Sequence, residues 1–351
     1  MKQLVLFVVF SAFTLCLSAQ KVEIDGMCYS LITEKQRASV TFRGELEVAL
    51  TEGSYSGDIV IPDEIEYDGT TYKVEGLYYA FTNCSNLTSV QLPSSLLAIG
   101  GYSFRNCTKL TSITIPPSVE VINSEAFKGC ISLSTIDFPG NSALSEVGWN
   151  VFEDTPWYKQ QPDGIVYTGS VAYRYKGNMP EKTSIELKDG TKGVASYAFA
   201  QCTGMEAIVV PNSTTYIGSG AFSDCKGLKS ITILQDQMFY ISDNALQGCN
   251  NLEKIITYNE TPSNMFIFYT PTDLLTNCNN VTLYVPSGCK DAYIDANYGD
   301  YFAAIVEMDP SSITDITADR HSAIPYNLAG QALSGIQKGI NIVNGKKILV
   351  K

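Results

Sequence analysis

Residues 102–130 read YSFRNCTKLTSITIPPSVEVINSEAFKGC, and the two ends repeat each other. Ser103-Phe104 is followed by Cys107, and Ala126-Phe127, 23 positions on, by Cys130. Working outward, the same pair recurs as Ala80-Phe81, Val151-Phe152, Ala198-Phe199 and Ala221-Phe222, and more loosely as Ala245-Leu246 and Leu274-Leu275. Three residues after each stands Cys84, Cys107, Cys130, Cys202, Cys225, Cys249 or Cys278, with Thr155 as the exception. A period in the twenties is the signature of a solenoid, in which no coil buries its own apolar residues and stacked neighbours must cover them.

Inside one period, LTSITIPPSVEVI places Ile113 and Ile115 at one parity and Ser112 and Thr114 at the other. That alternation is a strand with the isoleucines inward and the hydroxyls outward. Pro116 ends it, because proline cannot donate to a continuing ladder. Val119 and Ile122 turn inward again, and Ala126-Phe127 forms a short turn whose ring fills the coil.

With AF-x-x-C, L-x-x-I-x-I-P and S-[VL]-x-x-I in hand, AFTNCSNLTSVQLPSSLLAIGGYSF resembles the BspA-like leucine-rich repeat proteins over about residues 77–260, with weaker units to about 286. The resemblance implies a leucine-rich repeat β-solenoid of parallel strands in coils of about 23 residues, secreted or displayed on a cell surface and used for binding or adhesion. Where the general repeat carries an asparagine after the strand, this chain has Ser95, Ser118 and Ser213. Those positions leave the turn geometry open.

The cysteines admit two readings, chemistry or wall material. Equivalent positions in adjacent coils lie about 4.8 Å apart with parallel Cβ directions, wider than the roughly 3.5–4.5 Å of a disulfide. One cysteine per coil, always pointing the same way, does not converge on a metal. Buried reduced thiols acting as small hydrophobes are therefore expected, and no cofactor. Cys28 and Cys289 stand outside the ladder.

The flanks divide the chain. MKQLVLFVVFSAFTLCLSAQ has the charged, apolar and small-residue order of a secretory signal peptide cut after Ala19. Cys16 follows Thr14 and Leu15, which does not suit a lipidated cysteine. Residues 20–75 read as an N-terminal β cap, 76–309 as the solenoid with a closing unit at 283–309, and 310–351 as a small C-terminal β module. In that module Asn344-Gly345 between Ile340–Val343 and Lys346–Val350 signals a hairpin. The pattern YNLAGQ followed by KGINIVNGKKILVK resembles the sorting domains of Bacteroidetes type IX secretion cargo, which implies export; a stable module without a transport role is the alternative. No later stretch reaches the roughly 20 apolar residues of a membrane-spanning helix.

Composition narrows the partners. A net charge of −12 without a basic cluster argues against nucleic acid. A single histidine, His321, lies outside the repeats, so a Ser-His-Asp or Cys-His arrangement on the solenoid is excluded by count, as is a multi-histidine metal site. No nucleotide-binding or EF-hand sequence appears. The expectation is a monomeric, non-catalytic protein that meets an extracellular protein or glycan; a glycan-active enzyme using a carboxylate pair, or a purely structural surface scaffold, is the alternative.

Two places could hold the ligand. The period breaks over 153–193, where Val166-Tyr167 and Ala172-Tyr173 flank Thr168-Gly169-Ser170 as a β-hairpin. Trp157, Tyr158, Tyr173, Arg174 and Tyr175 there form the densest group of hot-spot residue types, although a hairpin must also bury rings simply to persist. The second place is the outward strand face, with Ser89, Gln91, Ser112, Thr114, Thr135 and Asp137 in the first half and Ala207, Val209, Ser230, Thr232, Lys254 and Ile256 in the second.

Overall fold

The computed structural model describes residues 20–45, 53–234, 240–242, 244–262, 278 and 280–308, together with the backbone of two strands, Gly339–Val343 and Lys346–Val350. The expected signal peptide, the register at Leu274-Leu275, and most of 310–351 lie outside the described residues. The two C-terminal strands pair antiparallel, with Val343 opposite Lys346.

The protein is a parallel β-solenoid with two stacked sheets. The front sheet runs through Gly57–Val60 and Leu87–Gln91, then Ser112–Thr114 and Thr135–Asp137, then Thr183–Glu186, Met205–Val210, Ser230–Ile233, Lys254–Thr257, Thr282–Val285 and Ala304–Glu307. The back sheet stacks two-residue strands, Ala98–Ile99 on Val121–Ile122 on Glu146–Val147, and later Gly193–Val194 on Tyr216–Ile217 on Tyr240–Ile241. Register follows the inward side chains: Ile113 faces Ile136 in one sheet and Ile99 faces Ile122 in the other, all buried. A one-residue slip would turn every inward isoleucine to solvent, so the 23-residue period and the register are the same constraint.

The turn closing each coil carries the phenylalanine. Phe81, Phe104, Phe127 and Phe152 stack in sequence at 5.1, 4.9 and 5.5 Å between ring centroids, and Phe199 stacks on Phe222 at 5.7 Å. Each ring is completely buried, and each amide binds the next coil: Phe81 N–H donates to the Ser103 carbonyl, Phe104 to Ala126, Phe127 to Val151, Phe199 to Ala221 and Phe222 to Ala245, at 2.7 to 2.9 Å. Burying one such ring contributes roughly 2–3 kcal/mol, and ring pairing roughly 0.5–1.5 kcal/mol more. Serine settles the turn that the missing asparagine left open. Ser95 Oγ donates to the Val74 carbonyl and Ser118 Oγ to that of Leu96, both at 2.7 Å, and Ser213 Oγ to that of Thr191 at 2.9 Å.

Strands of the segment expected as a cap, residues 20–75, pair directly with those of the solenoid. Gly57–Val60 is already a front strand and Thr70–Tyr78 a back strand. The sequence signal was present, since Ile59-Val60-Ile61-Pro62 repeats the Ile113-Thr114-Ile115-Pro116 pattern. Ahead of it, Gln20–Ile24, Met27–Ile32 and Arg37–Thr41 extend the back sheet. Tyr55 closes the open end: its ring meets Phe81 edge-on at 5.3 Å, its N–H donates to Cys84 Sγ, and its hydroxyl donates to the Thr41 carbonyl and accepts from Cys28 N–H. At the far end the front strand Thr282–Val285 is followed by a short helix, Lys290–Asp295, whose Tyr293 is buried.

Candidate functional site

The hairpin 153–193 is a rung of the solenoid and does not protrude. Its strand Val171–Lys176 pairs parallel with the back sheet, Val171 beside Gly193 and Ala172 beside Val194. Ser170 Oγ donates to the Leu144 carbonyl, reproducing the serine bridge of the other coils. Gly193 passes so close to the Ser145 carbonyl oxygen that a Cβ there would lie 1.9 Å from it, so only glycine fits this junction. The two repeat blocks are thereby tied, with Ala195 N–H on the Ala172 carbonyl and Ser196 N–H on that of Val147.

This placement packs most of the expected aromatic group against the solenoid interior. Tyr173 is 1% exposed, and its ring packs edge-on against Phe152 at 5.3 Å. Its hydroxyl accepts the Phe152 N–H at 3.0 Å, the role a backbone carbonyl of the next coil plays elsewhere in the ladder. Trp157 and Tyr158 sit on a one-turn helix, Pro156–Lys159, packed against the core. The Trp157 ring lies 5.0 Å from Phe152, and Tyr158 meets Tyr173 at 5.7 Å. Tyr175 is half-buried near Phe199, and Arg174 donates to Asn150 Oδ1 at 3.1 Å. The physical reason is volume: a coil that lacks the Phe and Cys pattern must fill its interior with other rings. Thr155 belongs to the same substitution. Its Oγ1 caps the helix by accepting Tyr158 N–H and donates to the Phe152 carbonyl at 2.8 Å.

The nine cysteines among the described residues are free thiols. Cys84, Cys107, Cys130, Cys225, Cys249 and Cys278 are buried, and Cys202 is half-buried. Four of them donate backwards along the solenoid: Cys107 Sγ to the Phe81 carbonyl, Cys130 to Phe104, Cys225 to Phe199 and Cys249 to Phe222, at 2.9 to 3.1 Å. Desolvation pushes the Cys202 and Cys278 thiols up to about 11 and Cys249 up to about 12, away from the reactive thiolate. Among the described residues no group of three or more His, Cys, Asp and Glu side chains converges as a metal ligand set.

The hydroxyl face remains. Ser112 stands beside Thr135 and Thr114 beside Asp137, all four exposed over the buried Ile113 and Ile136. Sequence reasoning missed its first coil, where Asp58 Oδ1 accepts from Ser89 Oγ at 2.6 Å and Thr88 Oγ1 at 2.8 Å. Those hydroxyls hold the Asp58 carboxyl below its usual range, and Ser94 Oγ with Ser95 N–H does the same for Asp63. The face does not continue unchanged. Thr232 and Ile256, expected outward, are 7% and 8% exposed, because Thr232 is flanked in register by Val209 and Ile256, and Ile256 in turn by Tyr284. The exposed polar surface is concentrated in the first half.

The pattern of coils, serine bridges and phenylalanine stack meets a matching family. The BspA type leucine-rich repeat region matches residues 64–161 and 169–298 in six copies. The chain belongs to this family. The interval between the matches, 162–168, falls on the first strand of the hairpin, Gly164–Thr168. Among solved structures, a leucine-rich repeat protein from Bacteroides ovatus ATCC 8483 is 22% identical, with a TM-score of 0.36 over 82% of this chain and 76% of that one. A leucine rich cell surface protein from Faecalibacterium prausnitzii A2-165 is 18% identical, with a TM-score of 0.28 over 84% and 97%. The T. pallidum leucine rich repeat protein is 20% identical, with a TM-score of 0.29 over 81% and 100%. No curated protein matches the chain. No helix among the described residues is long and apolar enough to cross a membrane.

Proposed function

We propose that the chain is a non-catalytic binding or adhesion protein acting outside the cytoplasm as a monomer, with the front face around Asp58, Ser89, Ser112, Thr114, Thr135 and Asp137 as a presenting surface. One observation carries this reading: short polar groups repeat in register on the face, Asp58 beside Ser89, Ser112 beside Thr135 and Thr114 beside Asp137, over the buried Ile113 and Ile136. Equivalent groups in successive coils favour repetitive ligands and modest affinity raised by many copies on a surface. The signal-peptide pattern of residues 1–19 supports export, and the resemblance of the C-terminal segment to sorting domains supports delivery across an outer membrane.

An array of glycans and extracellular-matrix proteins probed with the purified protein tests the reading. Retained binding on some surface, weakened by Thr114→Ala with Asp137→Ala, supports it. Release of reducing ends from a polysaccharide overturns the non-catalytic part. Silence across the array, with surface display intact, favours the purely structural scaffold. Deleting 311–351 should trap the protein inside the cell, and surface display that survives the deletion defeats the sorting role.

A further inference from the structure

In every coil from Phe81 to Phe222 the residue two positions before the phenylalanine has left-handed backbone: Tyr79, Tyr102, Glu125, Asn150, Tyr197 and Gly220, with φ between 51° and 61°. Glycine and asparagine adopt that conformation cheaply, whereas a bulky side chain is strained there. The turn thus asks for Gly or Asn, as Asn150 and Gly220 supply, yet three coils place tyrosine. Strained residues of this kind persist where something other than backbone preference selects them.

Their rings form one line along the outside of the solenoid. Tyr79 stacks on Tyr102 at 5.3 Å and 16°. The Arg105 guanidinium lies over the Tyr102 ring at 5.2 Å, and the Lys128 ammonium over Trp149 at 5.7 Å. Both cations also reach Glu125, at 3.3 and 3.5 Å. Trp149 then meets Tyr197 edge-on at 6.2 Å, and these two rings are 42% and 40% exposed. The next coil makes room for the last ring, because a Cβ on Gly220 would lie 2.5 Å from Tyr197. The hydrophobic interior of the same coils is the phenylalanine stack, so the ridge is a second aromatic row that the core does not use.

We infer that this ridge, from Tyr79 and Tyr102 to Trp149 and Tyr197, binds a chain of neutral sugars. The inference deepens the reading of the chain as a binding protein but puts the contact on a different surface from the hydroxyl face. Three features select the ligand. Arg105 and Lys128 share the one carboxylate of Glu125, and the chain as a whole carries a net charge of −12, which disfavours an anionic polymer. The turn's backbone donors are taken by the next coil, with Tyr102 N–H on the Ser124 carbonyl, Glu125 on Trp149 and Tyr197 on Ser219, so a peptide has no edge strand to extend. What remains is a narrow line of partly exposed rings, Trp149 and Tyr197 the most open, alternating with polar side-chain ends. A pyranose chain is its complement, with apolar C–H faces to lie on aromatic rings and hydroxyl edges to meet the charged groups between them.

The test measures binding of the purified full chain to immobilised neutral polysaccharides of glucose, mannose and galactose, beside polygalacturonate and an unfolded protein as comparators. Wild-type binding to at least one neutral polymer is expected, with Kd weakened roughly thirtyfold by Trp149→Ala with Tyr197→Ala. Tyr79→Gly with Tyr102→Gly serves as the second variant, since glycine suits the left-handed backbone and preserves the fold; it too should weaken binding. Ser112→Ala with Thr135→Ala is run beside them as the strand-face pair, and Glu34→Ala with Lys35→Ala, exposed and on neither surface, should leave binding unchanged. Preference for polygalacturonate or the unfolded protein overturns the neutral-sugar assignment, as does absence of binding to every neutral polymer. Neutral-sugar binding that survives both ridge variants but falls with the strand-face pair overturns the ridge while sparing the binding-protein reading.

Discussion

Replacing Tyr173 by phenylalanine isolates a single atom at the joint between the two repeat blocks. The ring and its contacts with Phe152 and Tyr158 remain, and only the hydroxyl that accepts the Phe152 N–H at 3.0 Å is lost. Both residues are buried, so the amide is left without an acceptor in a place water does not reach. Stranding a buried donor costs roughly 1–3 kcal/mol, and removing a buried hydroxyl recovers part of its own desolvation, so a net loss of about 1–2 kcal/mol is expected. Urea unfolding should show a lower midpoint with unchanged slope. Because a repeat array can open locally, amide exchange gives the sharper reading: the Phe152 amide should exchange roughly 5–30 times faster, while those of Phe104 and Phe222, bonded to backbone carbonyls, keep their protection. A loss under about 0.5 kcal/mol with unaltered exchange at Phe152 would show that the hydroxyl does not replace the missing carbonyl.

Phe127→Ala removes a ring flanked by Phe104 and Phe152 and should cost about 3–5 kcal/mol by urea unfolding; a cost under 1 kcal/mol would mean the stack is not continuous. Titration with a chromogenic thiol reagent should find Cys84, Cys107, Cys130, Cys225, Cys249 and Cys278 silent in the folded protein, Cys202 slow, and all seven reactive after denaturation; disulfides among them would refute the ladder. Glu146 gives a pH test. Desolvation pushes its carboxyl from 4.5 up to about 7, against an opposing hydrogen bond from Tyr216, so the folded state holds this proton more tightly than the unfolded chain. Its stabilising effect is therefore complete below about pH 4.5 and lost as pH rises to 7, by up to roughly 3 kcal/mol, and the difference between wild type and Glu146→Gln should change over that window; a constant difference refutes it.

Much of the architecture is local information repeated. Ile113 and Ile115 alternate with Ser112 and Thr114, Pro116 stops the strand, and a 23-residue step puts each inward residue on its equivalent, so solenoid and register both follow from periodicity. The first coil was legible too, in Ile59-Val60-Ile61-Pro62. The two left-handed positions per turn were not equally so. After the phenylalanine stand Asn83, Asn106, Gly129 and Asp224, residue types that announce positive φ, whereas before it Tyr79, Tyr102 and Tyr197 conceal the same conformation.

The sidedness of the aromatics is where periodicity stops informing. Trp157 and Tyr173 look by residue type like anchors in a loop, yet the fold buries Tyr173 and packs Trp157 on the core, while Trp149 and Tyr197 stay partly exposed. An inward or outward ring in a regular strand is set by parity, a property of neighbours in the chain. In the interrupted coil it is set by the gap between Phe152 and Phe199, which exists only when the two repeat blocks are stacked. That gap accepts Tyr173 because the rung needs both a ring and a hydrogen-bond acceptor. The ridge leaves Trp149 and Tyr197 outside because the phenylalanine stack has already filled the interior.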